Sequence, residues 1–275
     1  MTRRFAIYAA PGSESAGSGS PGSGSAGSGS ADPEPADAVG ALLRTTAEQW
    51  LGRGVAGDPV APGTPAGWTR AAIDAITVDA RRYGFHATLK PPFRLAAGRT
   101  LEELDAALAR FAAGTASAVI PRLSLARLGG FFALVPGAEA PELHALADET
   151  VRCFDDFRAP PTDDELARRE RASLSPRQRE LLKTWGYPYV FDEFGFHLTL
   201  TDRIQQDQRP RVEHTLRGWF APLLGATVPV DALALFTEAE PGAPFTLHAL
   251  HRLRRARPAA ARHHAAGPAD REGAR

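Results

Sequence analysis

The sequence lacks any excess of charge, because 32 lysines and arginines balance 32 aspartates and glutamates over 275 residues. Non-specific binding to nucleic acid usually needs a net positive field, so this balance argues against a long polyanion as the partner. Cysteine is also scarce. The single one, Cys153, excludes a disulfide framework and a Cys-x-x-Cys metal site. It stands between Val151 and Phe154 in a helical pattern, and we therefore expect it to be a small core residue.

Long hydrophobic runs are missing as well. No uninterrupted apolar stretch reaches the length of a transmembrane helix, and the short apolar segment 5–10 is too brief for a signal-peptide core. We therefore expect a cytoplasmic protein that has no membrane contact. The Gly-x-Ser-x-Gly elbow of serine hydrolases is also absent, which argues against a nucleophilic serine.

Two parts of the chain are too poor in large apolar residues to pack. Glycine, serine, alanine and proline fill about residues 11–36, and arginine, alanine and histidine dominate residues 257–275. Such compositions are typical of disorder. We expect one domain over residues 1–256 that contains the first tract as a disordered insert, followed by the second tract as a disordered tail.

One motif, aromatic-Gly-Phe-His-x-Thr-Leu, occurs at residues 83–89 and again at residues 194–200. Successive residues of a β-strand point to opposite faces, so the polar residues of each copy share one face. This polar row consists of His86, Thr88 and Lys90 in the first copy and of His197, Thr199 and Thr201 in the second. The row predicts a site that holds a histidine and a hydroxyl twice. We expect Pro91 and Pro92 to end the first strand, since proline cannot donate to a ladder.

The same order of elements follows each motif and indicates an internal duplication. A helix begins at Thr100 in the first half and at Pro210 in the second, and a further helix between the halves begins at Ser175. Two strands follow each motif helix, at residues 119–128 and 131–135 and, as their counterparts, at residues 228–236 and 245–250. We expect an α+β fold of two pseudo-symmetric lobes, each an antiparallel sheet with helices on its outer face. The motif strands would face a central cleft.

Histidine exchanges a proton near neutral pH, so two histidines at one cleft can act as general base and general acid. A threonine two residues further along the same face places a hydroxyl about 7 Å away, where it can hold phosphate oxygens. Phosphodiester cleavage needs those groups and no metal. A zinc site has less support, because two imidazoles are too few ligands and Asp192 and Glu193 have no counterpart before His86. We expect no metal and no other cofactor.

Two His-x-Thr motifs in repeated halves resemble those of the two-histidine (2H) phosphoesterase superfamily. Longer stretches, residues 82–93 and 185–201, are similar to the DUF1045 family, whose 2H-like members are associated with phosphonate-utilisation gene clusters. The similarity covers residues 5–253. It implies a LigT-like 2H fold whose catalytic histidines and phosphate-binding threonines are His86, His197, Thr88 and Thr199.

The resemblance implies a metal-independent phosphodiesterase that acts on a small cyclic phosphate ester, such as a phosphoribosyl cyclic phosphate of phosphonate breakdown. We add Lys90 and Thr201 as substrate-binding residues because both continue the polar row, although Lys90 also fits a plain solvated strand position. Two alternatives stay open. The protein could process RNA ends or 2′,3′-cyclic nucleotides, with Tyr187 and Tyr189 as stacking platforms, or it could bind a phosphorylated metabolite without catalysis. We expect a monomer and a small phosphorylated ligand.

Overall fold

The computed structural model describes residues 3–12, 35–162, 165 and 173–255. Most of the insert predicted at residues 11–36 and the tail predicted at residues 257–275 lie outside the described residues. The helices are α1 (Pro35–Leu51), α2 (Arg70–Ala75), α3 (Val78–Tyr83), α4 (Leu101–Gly114), α5 (Pro141–Cys153), α6 (Pro176–Trp185) and α7 (Arg209–Trp219). The strands are β1 (Arg4–Ala9), β2 (Ala87–Phe93), β3 (Ala118–Ile120), β4 (Ser124–Leu128), β5 (Phe131–Val135), β6 (Leu198–Thr199), β7 (Val228–Val230), β8 (Ala232–Glu238) and β9 (Phe245–Arg252).

Seven strands form one antiparallel sheet in the order β4-β5-β6-β2-β1-β8-β9, while β3 and β7 pair separately. Every neighbouring pair in the large sheet is antiparallel. The predicted α+β class with antiparallel sheets and helices is therefore confirmed. The two motif strands, β2 and β6, are neighbours near the middle of the large sheet. Each motif thus lies where strands from the two halves of the chain meet.

Strands of the two halves pair at equivalent positions of the repeat. Ala87 and Leu198, the middle residues of the two His-x-Thr motifs, lie opposite each other. Ile120 of β3 lies opposite Val228 of β7, and each of these two residues precedes a proline. A two-fold axis produces such pairing, because it places each residue beside its own counterpart.

The predicted match between the later strands differs from the observed one. β5 lies beside β6, on the side away from β2. The equivalent position, beside β2 on the side away from β6, is taken by β1 and not by β9. β9 instead pairs with β8 at the edge of the sheet. Short apolar strands resemble one another in sequence whatever their neighbours, so sequence similarity between β5 and β9 does not show that they occupy equivalent positions. The predicted strands 119–128 and 228–236 are each broken in two, since β3 and β7 leave the large sheet and pair with each other.

Two prolines lie within a strand that they were predicted to end. β2 continues through Pro91 and Pro92 to Phe93. Its ladder with β1 is irregular there, with assigned pairs at Lys90 and Phe93 but none between them. A proline is tolerated at such an irregularity because no N–H group is needed at that position.

Cys153 is exposed, so the prediction of a buried core residue is wrong. It is the last residue of α5, while Val151, two residues earlier, is buried. Two residues along a helix correspond to a rotation of about 200°, so a residue in this position faces away from the core.

Most of the helices contribute with the sheet to one large apolar core, while Leu181 of α6 packs in a separate small cluster with Val151 and Val190. Trp50 of α1 is fully buried, and its indole N–H donates to the carbonyl oxygen of Leu200, directly after β6, at 2.8 Å.

The predicted helix caps at Thr100 and Ser175 are both present as capping boxes. Among the described residues, no helix combines the length and the apolar character that a membrane span requires.

Candidate active site

Each motif histidine is oriented by the glycine two residues before it. Nδ1 of His86 donates to the carbonyl oxygen of Gly84 at 2.8 Å, and Nδ1 of His197 donates to that of Gly195 at 2.7 Å. Because a carbonyl only accepts, Nδ1 carries the proton in both rings. Each neutral imidazole therefore keeps its lone pair on Nε2, where a general base needs it. Gly84 has a φ of 77°, in a region that glycine occupies without strain.

The register of β2 and β6 places the two motifs crosswise. Ala87 and Leu198, the middle residues of the two motifs, pair in antiparallel strands. One step along the two strands, in opposite directions, therefore places His86 opposite Thr199 and Thr88 opposite His197. Directly opposed side chains of such strands have Cβ atoms about 5 Å apart, and diagonal ones about 7–8 Å. The two histidines are the diagonal pair. The four side chains therefore form a compact polar square on one face of the sheet.

The threonines of the square differ from the third threonine of the row. Thr88 and Thr199 are partly exposed, and neither hydroxyl bonds to another residue in the described part of the chain. Thr201 is only 1% exposed. Its Oγ1 accepts from the backbone N–H of Phe132 at 3.0 Å and donates to the carbonyl oxygen of Asp202 at 2.9 Å. Thr201 lines the cleft, but its hydroxyl is engaged in joining β5 to the end of β6.

Two adjoining cavities open over the square. One, of about 510 Å³, is lined by His86, Thr88 and Thr199, and the other, of about 530 Å³, is lined by Thr88 and His197. They share Arg203 as a lining residue. Concave sites of this size accommodate small ligands. We refer to the two together as the cleft and to the one with His86 as the first cavity.

The two histidines have different surroundings. His86 is 9% exposed, and its ring stacks on that of Tyr8 with centroids 3.9 Å apart. His197 is more accessible, and the centroid of its aromatic neighbour Phe131 is 5.9 Å away. Burial lowers the pKa of His86 to about 4, opposed by its bond to Gly84 and assisted by the charge of His197. His86 is therefore neutral at pH 7.

The cleft also holds a cation that our sequence analysis missed. Arg203 is exposed, lines both cavities, and forms no ion pair or hydrogen bond with the residues that the structure describes. It follows Thr201 by two residues, so it continues the alternation that starts at His197. The same alternation led us to Lys90 in the first copy, and it could have found Arg203 in the second.

Lys90 does not line either cavity. Its ammonium is buried and donates to Oδ1 of Asp155 at 3.1 Å and to the carbonyl oxygen of Val151 at 3.3 Å. The pairing of β2 with β1 shifts by one residue between Thr88 and Lys90. Such a bulge breaks the alternation of faces, and Lys90 therefore leaves the polar row.

Tyr189 lies at the edge of the second cavity, where 45% of its surface is exposed. The ring of Tyr187 contacts it edge-on, with centroids 5.5 Å apart, and lines both cavities. The predicted aromatic pair is thus beside the polar square. It offers an apolar wall to whatever occupies the second cavity.

The carboxylates that we weighed as metal ligands have protein partners. Asp192 accepts hydrogen bonds from Arg177, the shortest at 2.7 Å, and Glu193 accepts one from Nε2 of Gln178 at 2.9 Å. Over the described ranges, no three histidine, cysteine, aspartate or glutamate side chains form a group that could hold a metal ion.

The fold and the cleft define an antiparallel α+β protein in which two histidine–threonine motifs meet at one site. Comparison with protein families shows to which known sequences the chain is similar. The family described as "Protein of unknown function (DUF1045)" matches residues 88–246, more than half of the chain, and the chain belongs to this family. The matched segment includes Thr88, His197 and Thr199 and begins two residues after His86.

Two curated relatives bear the name "Ribose 1,5-bisphosphate phosphokinase PhnN". The relative from Janthinobacterium sp. (strain Marseille) is 40% identical over 201 residues, which cover 71% of this chain and 44% of that protein. The relative from Laribacter hongkongensis (strain HLHK9) is 37% identical over 199 residues, which cover 72% of this chain and 45% of that protein. The chain thus spans less than half the length of these relatives.

Proposed function

We propose that the protein is a metal-independent phosphodiesterase of the 2H type that hydrolyses a small cyclic phosphate ester. The observation that carries this proposal is the polar square, in which two imidazoles with free Nε2 atoms alternate with two free threonine hydroxyls. In this proposal the two halves are pseudo-symmetric lobes, and the square faces the cleft between them. The pairing of equivalent residues at Ala87–Leu198 and Ile120–Val228 supports that symmetry.

The unequal surroundings of the histidines divide their roles. His86, neutral at pH 7, accepts a proton from the attacking water through Nε2. His197, which is more accessible, acts in its protonated form, which carries a second proton on Nε2, and donates that proton to the leaving alkoxide. Thr88, Thr199 and Arg203 bind the phosphoryl oxygens, and the Arg203 guanidinium offsets the charge that develops on them. Water thereby adds to phosphorus, the P–O bond of the ester breaks, and each histidine transfers one proton.

The phosphokinase activity in the relatives' name has no counterpart motif in this chain. A P-loop requires Gly-x-x-x-x-Gly-Lys-Ser/Thr, and the two lysines, Lys90 and Lys183, each follow a leucine. We place that activity in the part of the relatives that this chain does not match. The name still points to a phosphorylated ribose, and the resemblance to DUF1045 implies phosphonate metabolism. Both favour a phosphoribosyl cyclic phosphate as the substrate.

The test is turnover of a panel of cyclic phosphates by purified protein and its variants. His86→Ala and His197→Ala each lower the rate by about two to four orders of magnitude, the range for loss of a general acid or base. The double variant loses little more, because the two groups act as a unit. His214→Ala is the matched control, since His214 is exposed on α7 and away from the cleft. Turnover persists in EDTA.

Near-wild-type rates in either single variant would refute the paired assignment. Loss of activity in EDTA, restored by one divalent ion, would replace the metal-independent mechanism. Addition of ATP and ribose 1,5-bisphosphate gives no phosphorylated product if the kinase activity belongs to the unmatched part of the relatives.

The Tyr187–Tyr189 pair favours a second candidate, the processing of RNA ends. Aromatic side chains beside a phosphate site can stack nucleobases. A preference for 2′,3′-cyclic nucleotides, with affinity for short single strands that falls steeply with salt, would select this candidate. Binding of cyclic phosphates without turnover would instead select a non-catalytic phosphometabolite-binding protein.

A further inference from the structure

Tyr8 of β1 carries an unpartnered hydroxyl at the first cavity. The residue lines this cavity and is 0% exposed, and its hydroxyl has no hydrogen-bond partner within the described residues. A buried hydroxyl without a partner is unfavourable, because it loses its bonds to water and gains none. Such a group is retained where a ligand completes its hydrogen bond.

The surroundings of this hydroxyl favour an anion. Burial raises the pKa of Tyr8 well above its usual range, so the phenol stays protonated and can donate. Arg4 lines the same cavity, and both Arg4 and Arg82 pair with the buried carboxylate of Glu238. Two guanidinium groups thus share one carboxylate, so this cluster carries a net positive charge, and Arg4 is its member that lines the cavity.

Acidic residues also line the first cavity. Asp79 is exposed at its rim. The carboxylate of Asp202 accepts from the backbone N–H groups of Asp79 and Ala80 at 3.0–3.2 Å and is engaged in capping α3. Within the described residues, neither carboxylate forms an ion pair or hydrogen bond with Arg4, whose carboxylate partner is Glu238.

The repeat provides this hydroxyl only once. Tyr8 lies opposite Thr88 in the sheet, and the residue opposite Thr199 in the second half is Ala133. The polar square is nearly symmetric, but the strands beside it are not, since β1 has a tyrosine where β5 has an alanine. A ligand that bonds to the Tyr8 hydroxyl therefore binds in one orientation.

We propose that Tyr8 and Arg4 form a second anion subsite, which binds a phosphate or carboxylate carried by the substrate in addition to its reacting phosphate. The inference rests on the proposed function for that reacting phosphate. Neighbouring strands are about 4.8 Å apart, so β1 lies roughly 7 Å from the line between β2 and β6. A sugar with an anionic group at each end spans such a separation. The substrate class is thus a phosphorylated sugar with a second anionic substituent.

The experiment uses three ligands with one sugar ring: glucose 1-phosphate, glucuronate 1-phosphate and glucose 1,6-bisphosphate. Calorimetric titration of the full chain is expected to show that the bisphosphate, the glucuronate or both bind at least about tenfold more tightly than glucose 1-phosphate. Comparison of the two ligands that carry a second anionic group distinguishes a phosphate from a carboxylate at the second subsite. In Tyr8→Phe this advantage falls below about threefold, while affinity for glucose 1-phosphate is unchanged.

Thermal unfolding of the free variant gives an independent reading. Removal of an unpartnered buried hydroxyl leaves the Tm unchanged or raises it by about 2 °C, whereas removal of a structural hydrogen bond would lower it. Equal affinities for the three ligands in the wild type would overturn the second subsite and leave the phosphate site intact. Equal weakening of all three in Tyr8→Phe would show that Tyr8 only shapes the cavity. Failure of every ligand to bind while cyclic phosphates are still hydrolysed would overturn the second subsite alone, and failure of both assays would overturn both proposals.

Discussion

At the scale of single residues, His86 combines an oriented ring with an environment that disfavours its charge. Its pKa is about 4, mainly because of burial, against an ordinary value of 6.5. Between these pH values the unfolded chain binds more protons at this residue than the folded protein does. The free energy of unfolding therefore falls as the pH falls from about 6.5 to 4, and His86 contributes no pH dependence outside this window.

This linkage predicts the behaviour of a neutral substitution. Between pH 7 and 4.5 the wild type loses about 2–3 kcal/mol of stability through His86, and His86→Asn lacks this loss. Urea unfolding at the two pH values measures the difference. His214→Asn, at an exposed position on α7, is the matched control variant. An identical pH dependence in His86→Asn and the wild type would show that His86 titrates normally in the folded protein.

Two cations of the polar rows have different environments, and this predicts opposite outcomes. Arg203 lines the cleft without a protein partner in the described segments, so Arg203→Met lowers kcat/KM about 10- to 100-fold. Lys90→Met changes kcat/KM by less than about threefold, because Lys90 points away from the cleft. Asp155 keeps its two bonds from Arg158, at 2.8 and 3.0 Å, when the lysine is removed. A larger loss of kcat/KM in Lys90→Met than in Arg203→Met would indicate that the phosphate binds at Lys90.

At the scale of elements, helix α3 depends on a residue from the other half of the chain. Thr77 precedes it but makes no side-chain cap bond, and Asp202 supplies the carboxylate instead. α3 ends at Tyr83, the first residue of the motif of His86, while Asp202 lies two residues after the motif of His197. The cap therefore couples the two motif segments.

Loss of this cap has a predictable cost. Asp202→Ala lowers the free energy of unfolding by about 1–2 kcal/mol, the usual range for a helix N-cap. Asp202→Asn keeps an acceptor oxygen and costs less than half as much. Equilibrium unfolding in urea measures both. If alanine and asparagine were equally destabilising, charge rather than the cap bond would explain the role of Asp202.

Elements whose signals are local could be predicted from the sequence, and those set by distant contacts could not. The capping boxes at Thr100 and Ser175 lie within four residues of sequence, and both are present. The cap by Asp202 joins residues 123 positions apart and leaves no pattern in the sequence. Lys90 was misplaced for a similar reason, since the bulge that turns it away depends on pairing with β1.

At the scale of the whole molecule, the sequence predicts which segments form helices and strands better than it predicts which strands pair with one another. The repeat placed His86 and His197 in matching contexts, because strand alternation and motif spacing are visible in one sequence. Arg4 and Tyr8 reach the same cleft from β1, whose place beside β2 is set by pairing across about 80 residues. No local pattern marks them, and they were therefore missed.

The segment between β1 and α1 gives the last prediction. Gly12 has a φ of 69°, and a Cβ there would lie 1.9 Å from the carbonyl oxygen of Gly40, so these two backbones are in direct contact. Five residues of helix, about 7.5 Å, separate Gly40 from the start of α1 at Pro35. A linker of about five residues can therefore replace residues 13–34.

This deletion leaves kcat/KM unchanged and keeps or slightly raises the Tm, because a shorter connection between two fixed chain ends lowers the entropy cost of closing the loop by about 1 kcal/mol. Gly12→Ala, which forces a Cβ into the backbone of α1, lowers the Tm in the same assay. A marked loss of Tm in the deletion variant would show that residues 13–34 pack on the domain. Unchanged stability in Gly12→Ala would mean that the contact with Gly40 does not hold the segment after β1 against α1. The linker length, which is derived from that contact, would then have to be increased.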